Sequence, residues 1–186
     1  KEVNIMEICG THTHSISKYG IREALPGNIR LISGPGCPVC VTSATDVNRI
    51  IEFSRTRKDA VIATFGDMMK VPGTDSSLQE EKARGADIRV VYSPLDSIEI
   101  ARNNPDKEVV LFAVGFETTS PTVAATVLGA KEAGLKNFSA LSLHKLTPPA
   151  MKALLDSGEI KIDGFIAPGH VTAIIGARAY GFLAED

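Results

Sequence analysis

The chain contains no tryptophan, and aromatic residues make up only 5% of its 186 positions. That scarcity argues against base-stacking platforms and against large aromatic anchors on an exposed surface. Charge is nearly balanced, with 20 Lys and Arg against 22 Asp and Glu for a net −2. With no basic stripe, a nucleic-acid partner is not expected. No apolar run approaches the roughly 18 residues of a membrane span, and no signal-type leader opens the chain, so neither membrane insertion nor secretion is expected. The Walker pattern GxxxxGK[ST], a GxGxxG turn after a strand, HExxH and GxSxG are all missing, which leaves nucleotide binding, proteolysis and ester hydrolysis without sequence support. Cysteine is absent after residue 40.

What is present is an ordinary globular composition, 44% hydrophobic and 23% charged, sufficient for one large or two small domains. The opening Lys1-Glu2-Val3-Asn4 enters a strand directly, and the last residues follow closely on a helix, so the chain reads as a fragment. Three cysteines, an odd number without a secretory signal, point to a reducing cytoplasm and to functional thiols instead of a disulfide framework.

Short runs rich in Val, Ile and Phe fall at 3–8, 30–33, 60–65, 88–92, 109–114, 138–143 and 164–167, nearly continuous in apolar character as doubly buried strands are. Helical stretches alternate with them at 14–25, 45–55, 77–85, 95–103, 121–134, 148–157 and 171–180. The pattern predicts an α/β fold with a mostly parallel sheet. Ile5 to Thr11 matches Phe112 to Thr118 in character, and Asp59 to Thr64 parallels Asp163 to Pro168. We therefore expect two related βαβαβ units facing a shared cleft: residues 1–93 with all three cysteines, a connecting helix or linker at 94–107, and a second unit at 108–186.

Chemistry concentrates where strands give way to helices. Cys37-Pro38-Val39-Cys40 has the spacing of a redox dithiol, and at a helix start its thiolates would be favoured. Pro35, Gly34 and Gly36 predict a tight approach from the preceding strand, with the glycines in a cofactor-binding turn. Half of a metal site is the other reading of this pair. Cys9 precedes His12 and His14, an arrangement in which an imidazole could share a metal with the thiol or assist its deprotonation. Asp67, Glu117 and His170 sit at strand ends, where they could bind or shuttle protons, and Lys145 is a weaker candidate.

Cys-Gly-Thr-His-Thr-His, Gly-Pro-Gly-Cys-Pro-Val-Cys-Val-Thr, Gly-Phe-Glu-Thr-Thr and Pro-Gly-His-Val, in this order and spacing, resemble the hydrogenase maturation factors of the HypD family. The resemblance runs from Ile5 to the end. It implies a protein that helps build the Fe(CN)2CO group of [NiFe]-hydrogenases together with a small partner, HypC, and that receives cyanide through HypE and HypF. By the same resemblance Cys9 would ligate iron alongside a cysteine of HypC, with His12 or His14 as the further metal ligand that the spacing offers. Cys37 and Cys40 would be a redox dithiol, with His12, Glu117 and His170 lining the same cleft. The family's further C-terminal cysteines, which hold a [4Fe-4S] cluster, have no counterpart here. A monomer acting in transient complexes is the expectation. From the residues alone, a thiol–disulfide oxidoreductase and a zinc-stabilised interaction module built on Cys9, Cys37, Cys40 and one histidine remain the rival readings.

Overall fold

In the computed structural model, which describes residues 1–184, the strands are β1 (Val3–Glu7), β2 (Ile29–Ser33), β3 (Ala60–Thr64), β4 (Ile88–Val90), β5 (Glu108–Ala113), β6 (Phe138–Ser142) and β7 (Gly164–Ile166). Each falls on one of the apolar runs read from the sequence. The helices are α1 (Gly10–Lys18), α2 (Ile21–Ala24), α3 (Ala44–Thr56), α4 (Leu78–Ala83), α5 (Asp96–Arg102), α6 (Ser120–Glu132), α7 (Thr147–Ser157) and α8 (Gly169–Ile175). Short 3-10 segments at Gly66–Lys70 and Ala177–Ala184 complete the order.

The strands pair in parallel throughout, forming a three-stranded sheet, β2-β1-β7, and a four-stranded sheet, β4-β3-β5-β6. The α/β class and parallel pairing are as expected. The grouping of strands is not. β3 and β4 leave the cysteine-bearing half to join β5 and β6, and β7 leaves the second half to pair with β1. The chain accordingly divides into one compact unit of residues 1–41, 116–118 and 145–186, and another of residues 42–115 and 119–144. The reason is burial: every residue of β3 is buried, and β5 is buried at all but its first position. Two such strands complete each other as neighbours at a sheet centre. Residues 94–107 hold the expected helix, α5, packed into the second unit. Ala101 of α5 is 1% exposed and packs with Val61 and Val109.

In the first unit Met6 and Ile8, on one face of β1, pack with Met151 of α7 and Tyr180. Ile5, on the other face, meets the groove beneath α1 and α2. In the second unit Ala63, Leu111, Ala113, Val91 and Val123 form a core between sheet and helices. Each fully buried Val, Leu, Ile or Met side chain in these cores contributes about 1.5–3 kcal/mol. α6 carries Pro121 in its first turn and ends before Gly134 at φ +69°; α7 starts Thr147-Pro148-Pro149 and ends at Gly158, φ +63°. Proline inside the start and a left-handed glycine at the end give both helices definite limits.

Candidate functional site

Cys9 follows the end of β1 in an extended conformation, φ −169° and ψ 128°, as the residue that caps α1. Backbone bonds stitch this turn to both neighbouring strands. Ile8 N donates to Ile166 O at 3.1 Å, Gly34 N to Glu7 O at 2.9 Å and Gly10 N to Gly36 O at 3.2 Å. The Gly34-Pro35-Gly36 approach is as tight as expected. A Cβ at Gly36 would lie 2.2 Å from Cys9 N, and one at Gly34 would lie 2.5 Å from Ile8 Cδ1. Neither glycine has a positive φ; they are needed for closeness.

Cys37 and Cys40 are not at a helix start. Residues 38–41 form a turn, and α3 begins at Ala44, where the Ser43 hydroxyl accepts Asp46 N at 3.1 Å. The turn makes its own arrangement for sulfur: Cys40 N donates to Cys37 Sγ at 3.3 Å, and Val41 N to Cys37 O at 3.2 Å. The hydrogen bond to Cys37, assisted by partial burial, pushes the Cys40 thiol above its ordinary range. Cys37 is thus the acceptor of the pair, and Cys40 is held to its proton. All three cysteines are free; Cys9 and Cys37 are half-buried and Cys40 is exposed.

Cys9 and Cys37 open on one pocket of about 390 Å³ at the C-terminal edge of the three-stranded sheet, walled also by Phe116, Thr118, Thr147 and His170. All of these residues belong to the first unit. His170, in the first turn of α8, is exposed. The other expected residues lie elsewhere. His12 lines a second, apolar groove of about 340 Å³ with Ile5, Ile16, Leu25 and Leu31. Its Nδ1 is buried with no hydrogen-bond partner among the described residues. His14 is exposed on α1, Lys145 is exposed, and Asp67 is exposed in the second unit's 3-10 turn.

Glu117 is 6% exposed and fully engaged: its Oε1 accepts Thr147 N at 2.7 Å and its Oε2 accepts Thr147 Oγ1 at 2.9 Å. It caps the start of α7 from behind the pocket wall instead of facing the space where a reaction would occur. Sequence reasoning missed Glu7, which is fully buried one position before Ile8. The available signal was a carboxylate inside an otherwise apolar central strand.

Among the described residues no three His, Cys, Asp or Glu side chains gather into a metal-holding group. What the pocket offers is a soft sulfur ligand, Cys9, with a second sulfur nearby on its wall and room beside both for ligands from outside the chain. No helix among the described residues is long and apolar enough to cross a membrane.

The family model HypD, described as hydrogenase formation hypA family, matches residues 1–186. The hydrogenase maturation factor HypD of Rhodobacter capsulatus is 51% identical over 100% of this chain and 49% of its own length. The Escherichia coli factor of the same name is 45% identical over 100% of this chain and 50% of its own length. A putative hydrogenase expression/formation protein of Methanocaldococcus jannaschii is 44% identical over 99% of this chain and 51% of its own length. The chain thus spans about half the length of the curated relatives it matches. Matched by the family model from its first residue to its last, the chain belongs to the HypD family of hydrogenase maturation factors.

Proposed function

We propose that this chain is the thiol-bearing part of a scaffold on which the Fe(CN)2CO group of [NiFe]-hydrogenases is assembled. Cys9 supplies one thiolate to the iron, a cysteine of HypC supplies another, and cyanide arrives through HypE. The observation that carries this reading is the pocket shared by Cys9 and Cys37 at the C-terminal edge of the three-stranded sheet, with space beside both sulfurs. A site with a single thiolate and open space suits a cargo that must accept diatomic ligands and then leave, whereas a closed tetrahedral site would retain its metal. Soft thiolates match iron that carries strong-field ligands.

Cys37 and Cys40 act beside it as a dithiol that closes to a disulfide by exchange with a disulfide from outside the chain, which leaves as two thiols carrying the electron pair and both protons. Cys40 is the exposed sulfur of the pair, and Cys37 is the one on the pocket wall. His170 reaches the same pocket and is available for proton movement. The family's iron–sulfur cluster needs four thiolates, and the chain has three cysteines, so that cluster belongs to the longer parent protein. We place the work in the cytoplasm, with the parent acting as a monomer in transient complexes.

The test is infrared spectroscopy of the parent protein co-purified anaerobically with HypC. Bands of metal-bound cyanide and CO are expected in wild type and are lost in Cys9→Ala. If Cys9→Ala keeps those bands, the iron assignment to this thiol is wrong. The Cys40 N–H donated to Cys37 Sγ favours one second reading, a thiol–disulfide oxidoreductase. That reading predicts turnover on generic disulfides in metal-free protein, with no infrared bands in any variant.

A further inference from the structure

Glu7, the last residue of β1, is 0% exposed. Its Oε2 accepts the Cys9 amide N–H at 3.1 Å, and its Oε1 accepts the Thr13 hydroxyl. No ion pair to this carboxylate occurs among the described residues. A buried carboxylate without a cation is tolerated only where strong donors converge on it. Here those donors are the amide that begins the Cys9 turn and a hydroxyl from the next turn of α1.

The helix start explains the demand. α1 has no acidic residue in its first turn, and its capping position holds Cys9, whose side chain makes no capping bond. Caps are ordinarily Ser, Thr, Asp or Asn, which satisfy the helix with their own oxygen. Glu7 instead holds the capping residue itself, by its amide, from the strand beneath. Gly36 closes the turn as well, since a Cβ there would be 2.2 Å from Cys9 N and 2.6 Å from Cys9 Cα.

We propose that Glu7 is the positioning residue of the Cys9 thiol: by holding the Cys9 amide and, through Thr13, the first turn of α1, it fixes the backbone that carries this sulfur on the pocket wall. The proposal deepens, and rests on, the reading of Cys9 as the thiolate that engages iron. It is a role for hydrogen-bond acceptance, so shape and charge must be separated from it. Gln has the same shape and keeps an acceptor for the Cys9 amide, with the Thr13 hydroxyl free to turn and accept its NH2. Met has similar length and no comparable acceptor.

The experiment uses the full-length parent, reduced and metal-free, as wild type, Glu7→Met and Glu7→Gln. Alkylation by iodoacetamide is followed at each cysteine by peptide mass spectrometry, and iron retention in the complex with HypC is measured in parallel. In Glu7→Met the Cys9 rate should rise about tenfold, the equivalent of one lost buried hydrogen bond, with Cys40 unchanged; Glu7→Gln should restore the wild-type rate. Iron retention should fall in Glu7→Met and recover in Glu7→Gln. An unchanged Cys9 rate in Glu7→Met overturns the proposal, as does equal behaviour of Met and Gln, which would assign the effect to charge. If Glu7→Met does not fold, amide exchange in wild type decides. Protection of the Cys9 N–H by about a hundredfold over the open-chain rate is expected, and exchange at the open-chain rate overturns the proposal. If wild type holds iron no better than Cys9→Ala, the iron reading fails while the alkylation rates still judge Glu7.

Discussion

Gly36 and Gly34 occupy similar places in the sequence, yet the structure assigns them different tolerances. A methyl group at Gly36 meets backbone, at 2.2 Å from Cys9 N and 2.6 Å from Ile8 C, and backbone there cannot yield without moving the cysteine. At Gly34 it meets Ile8 Cδ1 at 2.5 Å and Met6 Sδ at 2.8 Å, the far ends of side chains that can rotate away. Gly36→Ala should therefore destabilise the protein by about 1–3 kcal/mol, and Gly34→Ala by distinctly less, as urea midpoints of the two variants will register. Equal costs would mean that the Cys9 turn is looser than its contacts indicate. The motif around these glycines was legible in the sequence as a close approach. Its dithiol was legible too, but the helix N-terminus expected behind it was not there. Ser43 caps α3 three residues beyond Cys40, and a Ser at that distance is invisible to a reading based on cysteine spacing alone.

Between elements, the Gly-Phe-Glu-Thr-Thr segment works as a strut. It leaves β5 of the second unit, gives Phe116–Thr118 to the first, and returns for α6. Glu117 ties this strut to α7 through both carboxylate oxygens, so Phe116 and Thr118 on the pocket wall are held by a helix start. The bond can be measured as a coupling. In a double-mutant cycle of Glu117→Gln and Thr147→Val, unfolding free energies should show an interaction of about 1.5–3 kcal/mol, the range for a hydrogen bond to a charged group. A coupling near zero would remove the strut's anchor. Strands were the most legible elements because continuous apolar character reports burial on both faces. Which sheet each strand enters was not legible, since periodicity records how deeply a residue is buried and not beside what. β3, β4 and β7 were each expected in the other unit for that reason.

At the scale of the molecule, the two units differ in what holds them. The second contains a carboxylate, Glu81, 3% exposed, that accepts Arg55 Nη2 at 2.8 Å and also bonds Ser76 and Arg84. Arg55 above all, against the opposing effect of burial, holds its pKa at about 2 where 4.5 is usual. Asp87, bonded to Arg89 and Lys107, is lowered from 3.8 to about 2, chiefly by Arg89. Both pKa values are depressed in the folded state. Their stabilisation is therefore complete above the unfolded values and is lost as pH falls through the folded ones. The second unit's stability should decline between pH 4.5 and 2, read as amide exchange in β3 and β5, and Arg55→Met should flatten that decline. The order of the chain has a consequence for synthesis. Residues 1–41 are synthesised before β7, which pairs with β1, and before α7 and α8, which wall the pocket. At ribosomal rates, roughly 7–26 s separate the appearance of Cys40 from that of Val171. Through that interval the sulfurs have no pocket, and the inserted second unit receives its whole sequence before the pocket's remaining walls are made. A nascent chain of this family is thus a reactive thiol on a growing polypeptide before it is a site, and its protection from oxidants and stray metals in those seconds must come from its surroundings.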